Sequence, residues 1–130
     1  MKNYERYLQI PYMHQGRSFQ GADCFGITML FYANELQITL KDFTEDYAPE
    51  WWINKSYFLE NYKAYNFTPT NTPEFGNIVF FRNNSVAVGH CGIVLTDGSF
   101  LHMTRSGAAV TSLILGAYAR KIQGYYKYKV

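Results

Sequence analysis

The sequence predicts an α+β domain in which N-terminal helices pack on a C-terminal antiparallel β-sheet. Three observations predict it. Apolar residues recur at helical spacing early in the chain, as Tyr4, Tyr7 and Leu8 and again as Ile27, Leu30 and Phe31. From Asn77 onward the pattern changes to short apolar runs separated by turn residues. Within that region Asp97-Gly98 reads as the centre of a hairpin turn between two such runs. A length of 130 residues with 48% hydrophobic and 17% charged residues fits one globular domain spanning 1–130.

Taken in order, Asn3 to Gln9 reads as a short amphipathic helix that must stop before Pro11. The loop from Pro11 to Ala22 holds Tyr12 and His14, the latter read as a solvated loop residue. Asp23 is a good N-cap type, so Cys24 is expected to open a helix running to about Ile38, buried through Ile27, Leu30, Phe31 and Ile38. A thiol there feels the positive end of the helix dipole, which favours the thiolate and makes Cys24 a candidate nucleophile. The competing reading is a small buried cysteine in a core; its place at the helix start, outside the apolar stripe, speaks against that.

Pro49-Glu50 reads as the start of another helix, reaching about Lys63 and carrying Trp51, Trp52, Tyr57, Phe58, Leu59 and Tyr62. These aromatics fit the core of a small domain better than a sugar-stacking groove. Asn66 to Pro73 reads as a turn-rich connector. Asn77 to Phe81 reads as a central strand buried on both faces, followed by a turn at Arg82 to Ser85. Val86 to Leu95 and Phe100 to Thr104 then form the hairpin, with further strands at Ala109 to Leu113 and Lys121 to Tyr128.

The hairpin carries His90 near its beginning and His102 near its end. Folding back at Asp97-Gly98 makes the two rings neighbours on one face, provided a bulge or offset absorbs their unequal distances from the turn. A cysteine nucleophile needs a base, and the base needs a partner that holds its ring; His90 and His102 are the candidates. Cys91 directly follows His90, so alternation sends it to the opposite sheet face as a packing residue. That alternation, with no C-x-x-C spacing, argues against a zinc site built from Cys24, His90, Cys91 and His102, and no metal or other cofactor is expected. No disulfide is expected either, since Cys24 serves better as a thiolate and Cys91 lies in a buried strand.

A net charge of +2 without a Lys/Arg cluster gives no footing for nucleic-acid binding. No apolar run approaches a membrane span, and no membrane partner is expected. The first residues lack the apolar stretch of a secretory signal, which leads to the expectation of synthesis in the cytoplasm followed by carriage in a virion tail or non-classical export.

Pro11-Tyr12, Asp23-Cys24-Phe25-Gly26, Gly76-Asn77-Ile78-Val79-Phe80-Phe81, His90-Cys91-Gly92-Ile93-Val94 and Phe100-Leu101-His102 together resemble the NlpC/P60 family of papain-like cysteine peptidases. The departures are Phe25 for the usual serine, Asn77 for aspartate and Cys91 for valine. The resemblance implies a papain-like fold in which Cys24 attacks an amide carbonyl, His90 moves the proton and His102 orients His90. It also implies that Tyr12 reaches the site, so that Tyr12 and the Asp23 region, with the Cys24 backbone N–H, assist the oxyanion or the substrate. The implied substrate is a peptidoglycan stem peptide, commonly cut between D-glutamate and a diamino acid; a wall-cleaving enzyme without its own export signal needs a vehicle, so phage tail proteins are expected partners. Alternatives left open are a non-catalytic tail or wall-binding module of the same fold, a related amidase or transferase, and a secreted wall-degrading toxin.

Overall fold

The computed structural model describes residues 4–41, 62–82 and 88–129. A four-residue helix α1 (Glu5–Leu8) leads to a small hairpin of β1 (Arg17–Ser18) and β2 (Gly21–Ala22), then to the twelve-residue α2 (Cys24–Glu35). Six further strands make one antiparallel sheet: β3 (Phe67–Thr70), β4 (Ile78–Arg82), β5 (Val88–Val94), β6 (Ser99–Thr104), β7 (Gly107–Ser112) and β8 (Ile122–Tyr128). Their spatial order is β3-β8-β4-β5-β6-β7. This is the expected α+β arrangement, with helices first and the antiparallel sheet afterwards.

Helix α2 begins where the cap residue dictates. Asp23 takes an extended backbone and its side chain accepts the Gly26 N–H, supplying one of the bonds that a first helical turn lacks. The helix ends at Glu35, three residues short of the expected Ile38, because Gln37 turns to a left-handed φ of 56°. The Ile38 N–H then reaches back to the Tyr32 carbonyl at 3.0 Å, and the Ile38 side chain still packs on the core.

One sheet face lies under α2. There Phe25 and Tyr32 pack with Ile78, Phe80, Cys91 and Tyr126, and Ile27 and Phe31 pack with Ile93, Leu101 and Met103. The opposite face carries Val79, Phe81, Val94, Phe100 and Leu113, covered by Tyr118 from the segment before β8 and by Ile122 at the start of that strand. The strand of Ile78 to Phe81 is buried throughout, as its unbroken apolar run predicts.

The stretch expected to be a connector after Asn66 instead forms β3, an edge strand paired along its whole length with β8. Pro69 is tolerated there because an edge strand has one side without a ladder. The pairing joins residues far apart in sequence (Phe67 with Tyr128), so local composition alone reads as turn. Most of the aromatic helix expected from Pro49 lies outside the described residues; of the turn expected at Arg82 to Ser85, Arg82 instead ends β4 and the rest lies outside them. Of that aromatic group Tyr62 packs its ring 5.3 Å from Tyr126, and just after it Tyr65 and Phe67 are buried.

Candidate active site

The sulfur end of the site is built by the loop before α2. The Asp23 carboxylate accepts from the Gly26 N–H (2.8 Å) and Arg17 Nη1 (2.8 Å) through one oxygen, and from the Gln15 N–H (3.0 Å) through the other. It therefore clamps the loop to the first helical turn and fixes Cys24 at the first helical position. Gly26 is required at the same place, since a Cβ there would lie 2.0 Å from the Gly16 carbonyl oxygen.

Tyr12 joins the same end. The Ala22 N–H donates to the Pro11 carbonyl (3.1 Å) and the Met13 N–H to the Ala22 carbonyl (3.0 Å), which lays Tyr12 beside β2. Its half-buried hydroxyl has a raised pKa, first from burial and then from the nearby Asp23 and Cys24 charges, while the Arg105 guanidinium over its ring at 5.2 Å opposes the rise. Tyr12 is thus a neutral phenol within electrostatic range of the sulfur. His14, expected to be solvated, sits half-buried in the loop between α1 and β1.

The other end is the hairpin. A turn at 96–98, with Gly98 at φ 77°, closes β5 on β6 in the register Gly92↔His102, Ile93↔Leu101 and Val94↔Phe100. His90 lies two residues beyond Gly92, so the two rings share a face on the diagonal. His90 Nε2 and His102 Nδ1 are 2.7 Å apart. The residue between them must be glycine, because a Cβ on Gly92 would meet the Leu101 carbonyl oxygen at 2.6 Å and the Phe100 ring at 2.7 Å.

The line continues one strand further. His102 Nε2 is 2.8 Å from Thr111 Oγ1, and β7 pairs His102 with Ala109, so Thr111 is again the diagonal neighbour. His102 is fully buried and its pKa falls to about 3, through burial first and the His90 charge second. It therefore stays a neutral ring with a single N–H. When His90 carries a proton on both nitrogens, His102 Nδ1 must accept, and Nε2–H must donate to Thr111. Tyr118 lies across both rings, with centroids 5.5 Å from His90 and 4.9 Å from His102.

The two ends meet at the Cys24 thiol, whose pKa is lowered to about 6. The hydrogen bond from Cys91 contributes most, followed by the hydrogen bond and charge of His90, all working against burial. Cys91 is held well above the ordinary thiol range by that same hydrogen bond and by burial, so it is the neutral donor and Cys24 the thiolate. Its sulfur also lies 3.6 Å from the Cys24 carbonyl oxygen and 3.7 Å from Thr28 Oγ1. Since His90 Nε2 faces His102, Nδ1 is the nitrogen left for the Cys24 sulfur.

Strand alternation would separate His90 from Cys91, yet both meet that sulfur. The register is regular across both residues (Phe81↔His90, Phe80↔Cys91), and the pairing of β4 with β5 slips only before them, between Arg82↔Val88 and Phe81↔His90. Cys91 thus does more than the packing expected of it. Among the described residues no three His, Cys, Asp or Glu side chains are grouped to hold a metal.

Past His90, away from Cys24, opens a cleft of about 340 Å³ lined by Phe81, Arg82, His90, Ala117, Tyr118 and Lys121. Thr111, Tyr118, Arg17 and the sulfur contact of Cys91 were not singled out from sequence. Arg17 alone left a signal there, a cation six residues before a capping carboxylate.

The model of the NlpC/P60 family matches residues 9–127. Among solved structures, the chain resembles an NlpC/P60 family protein from Bacillus cereus (TM-score 0.63, 20% identity), over 94% of this chain and 36% of that one. It resembles a lipoprotein-like protein of the same family from Staphylococcus aureus (TM-score 0.61, 21% identity), over 94% of this chain and 37% of the other. It also resembles the NlpC/P60 domain of the peptidoglycan hydrolase SagA (TM-score 0.54, 18% identity), over 84% of this chain and 82% of that one. The chain thus spans little more than a third of the first two proteins. No curated protein matches it. Among the described residues no helix is long and apolar enough to cross a membrane.

Proposed function

Because this chain belongs to the NlpC/P60 family, we propose that it is a cysteine peptidase hydrolysing amide bonds in peptidoglycan stem peptides. One observation supports this above the rest: an unbroken run of polar contacts from the Cys24 sulfur through His90 and His102 to Thr111. A packing cysteine and two structural histidines have no need of that order, and a pure binding module has no need of a lowered thiol pKa.

In this reading the Cys24 thiolate attacks the carbonyl carbon, and the backbone N–H of Cys24 with the Tyr12 hydroxyl stabilises the oxyanion. Asp23 serves by holding the helix start, since an ionised carboxylate accepts and cannot donate to an oxyanion. His90 passes its Nδ1 proton to the departing amine, leaving an acyl thioester on Cys24. It then takes a proton from the water that hydrolyses the thioester. His102 accepts from His90 Nε2–H, and Thr111 keeps His102 in the tautomer that can do so.

The bond we assign is that between D-glutamate and the following diamino acid. The test is mass spectrometry of defined muropeptides after incubation with the protein and with Cys24→Ala. Cleavage by the first and loss of at least roughly four powers of ten in rate in the second is the expected result. Turnover retained by Cys24→Ala, in a variant whose circular dichroism is unchanged, overturns the assignment.

A further inference from the structure

We propose that the cleft beyond His90 is a carboxylate-binding subsite for the leaving-group portion of the substrate, with Arg82 and Lys121 as its recognition residues. The inference rests on the peptidase reading above and specifies which substrates that site takes.

Position comes first. A group that protonates the departing nitrogen must stand beside it, so the departing half of the substrate lies on the His90 side of the sulfur. The acyl half lies over the start of α2 and Tyr12. The cleft has His90 in its wall and contains neither Cys24 nor Tyr12, so it continues the path of the departing half.

Charge comes second. Arg82 and Lys121 both line the cleft, and among the described residues neither side chain makes an ion pair or hydrogen bond. Arg120 adjoins Lys121, and residues 98–130 contain no Asp or Glu. Elsewhere on the described surface cations near the site are occupied: Arg17 is paired with Asp23, and Arg105 lies over Tyr12. The register of β4 on β5 shifts at Phe81/Arg82, the two consecutive residues of β4 that both line the cleft.

Shape comes third. Phe81 and Tyr118 meet edge to face at 5.4 Å and give the cleft an aromatic wall. Methylene groups fit such a wall while a carboxylate at the rim meets the cations, with the guanidinium offering two parallel donors. An ammonium at the same place would meet two like charges. The carboxylate has two sources, the side chain of the diamino acid or the C-terminus of the peptide.

Two matched substrate pairs tell them apart. The first pair shares one acyl half and carries either diaminopimelate or lysine after the scissile bond; the second ends in a free or an amidated C-terminus. For exposed cations the expected preference in kcat/KM is about tenfold for the carboxylate member of one pair, shrinking as salt is added. The double variant Arg82→Gln/Lys121→Gln should bring that ratio close to one, and Arg82→Glu/Lys121→Glu should invert it. Both side chains are on the surface, and unchanged circular dichroism in each variant excludes misfolding. Equal cleavage of both members of both pairs by the wild type, or a preference untouched in the double variants, overturns the subsite and leaves the peptidase reading standing. Failure of the wild type to cleave any of the four peptides overturns both.

Discussion

Replacing Thr111 with valine takes away one oxygen and almost no volume. That oxygen lies 2.8 Å from Nε2 of His102, whose ring is fully buried. The valine variant leaves a buried ring N–H without an acceptor, at a cost of about 1–3 kcal/mol. The ring can avoid that cost only by carrying its proton on Nδ1, which points at His90 Nε2 from 2.7 Å. With His90 protonated, two donors would then face each other. Either way the lost state is the one in which His102 accepts from His90. A bias of that size corresponds to a fall in kcat of about 5- to 150-fold. KM should hold, because Thr111 acts through His102 and not on the substrate. Thr111→Ser restores the oxygen and should recover most of the rate. Steady-state kinetics on a defined muropeptide measure both effects, and ring nitrogen-15 shifts report the His102 tautomer. Wild-type kcat in Thr111→Val, or a serine variant as slow as the valine one, refutes the proposed relay.

Two further outcomes follow from the pKa shifts. Cys91→Val removes the largest contribution to the lowered Cys24 pKa, so the midpoint of iodoacetamide labelling should move from about 6 toward the ordinary thiol value of 9.0; an unmoved midpoint would show that Cys91 only packs. His102 has a folded pKa of about 3 against an ordinary 6.5, so the unfolded chain binds more protons between those values. Stability should therefore be complete above 6.5 and fall as the pH drops toward 3, by up to about 1.4 kcal/mol per pH unit from this one ring. Denaturant titrations across that window should show a shallower acid slope in His102→Asn, and identical slopes would assign the acid sensitivity elsewhere.

Local chemistry made several features readable in advance. Asp23 caps, so Cys24 begins a helix; Asp97-Gly98 turns, so His90 and His102 come home on adjacent strands. The continuous run from Ile78 to Phe81 could only be a central strand. What misled was non-local pairing. The segment around Pro69 reads as a connector until β8 arrives more than fifty residues later to pair with it. Ile38 belongs to the apolar stripe of α2 but lies past a left-handed Gln37 that ends the helix.

The sequence by itself determined the order of helices and strands and the residue types that could carry a thiolate and a base. These depend on contacts a few residues long, whose energetics are written in caps, turns and periodicity. Only the tertiary structure decided that the offset between the histidines is a diagonal across Gly92, that Thr111 ends their line, and that Cys91 and His90 meet at one sulfur. Register across three strands fixed those neighbours, and register is a property of the assembled sheet that no single segment contains.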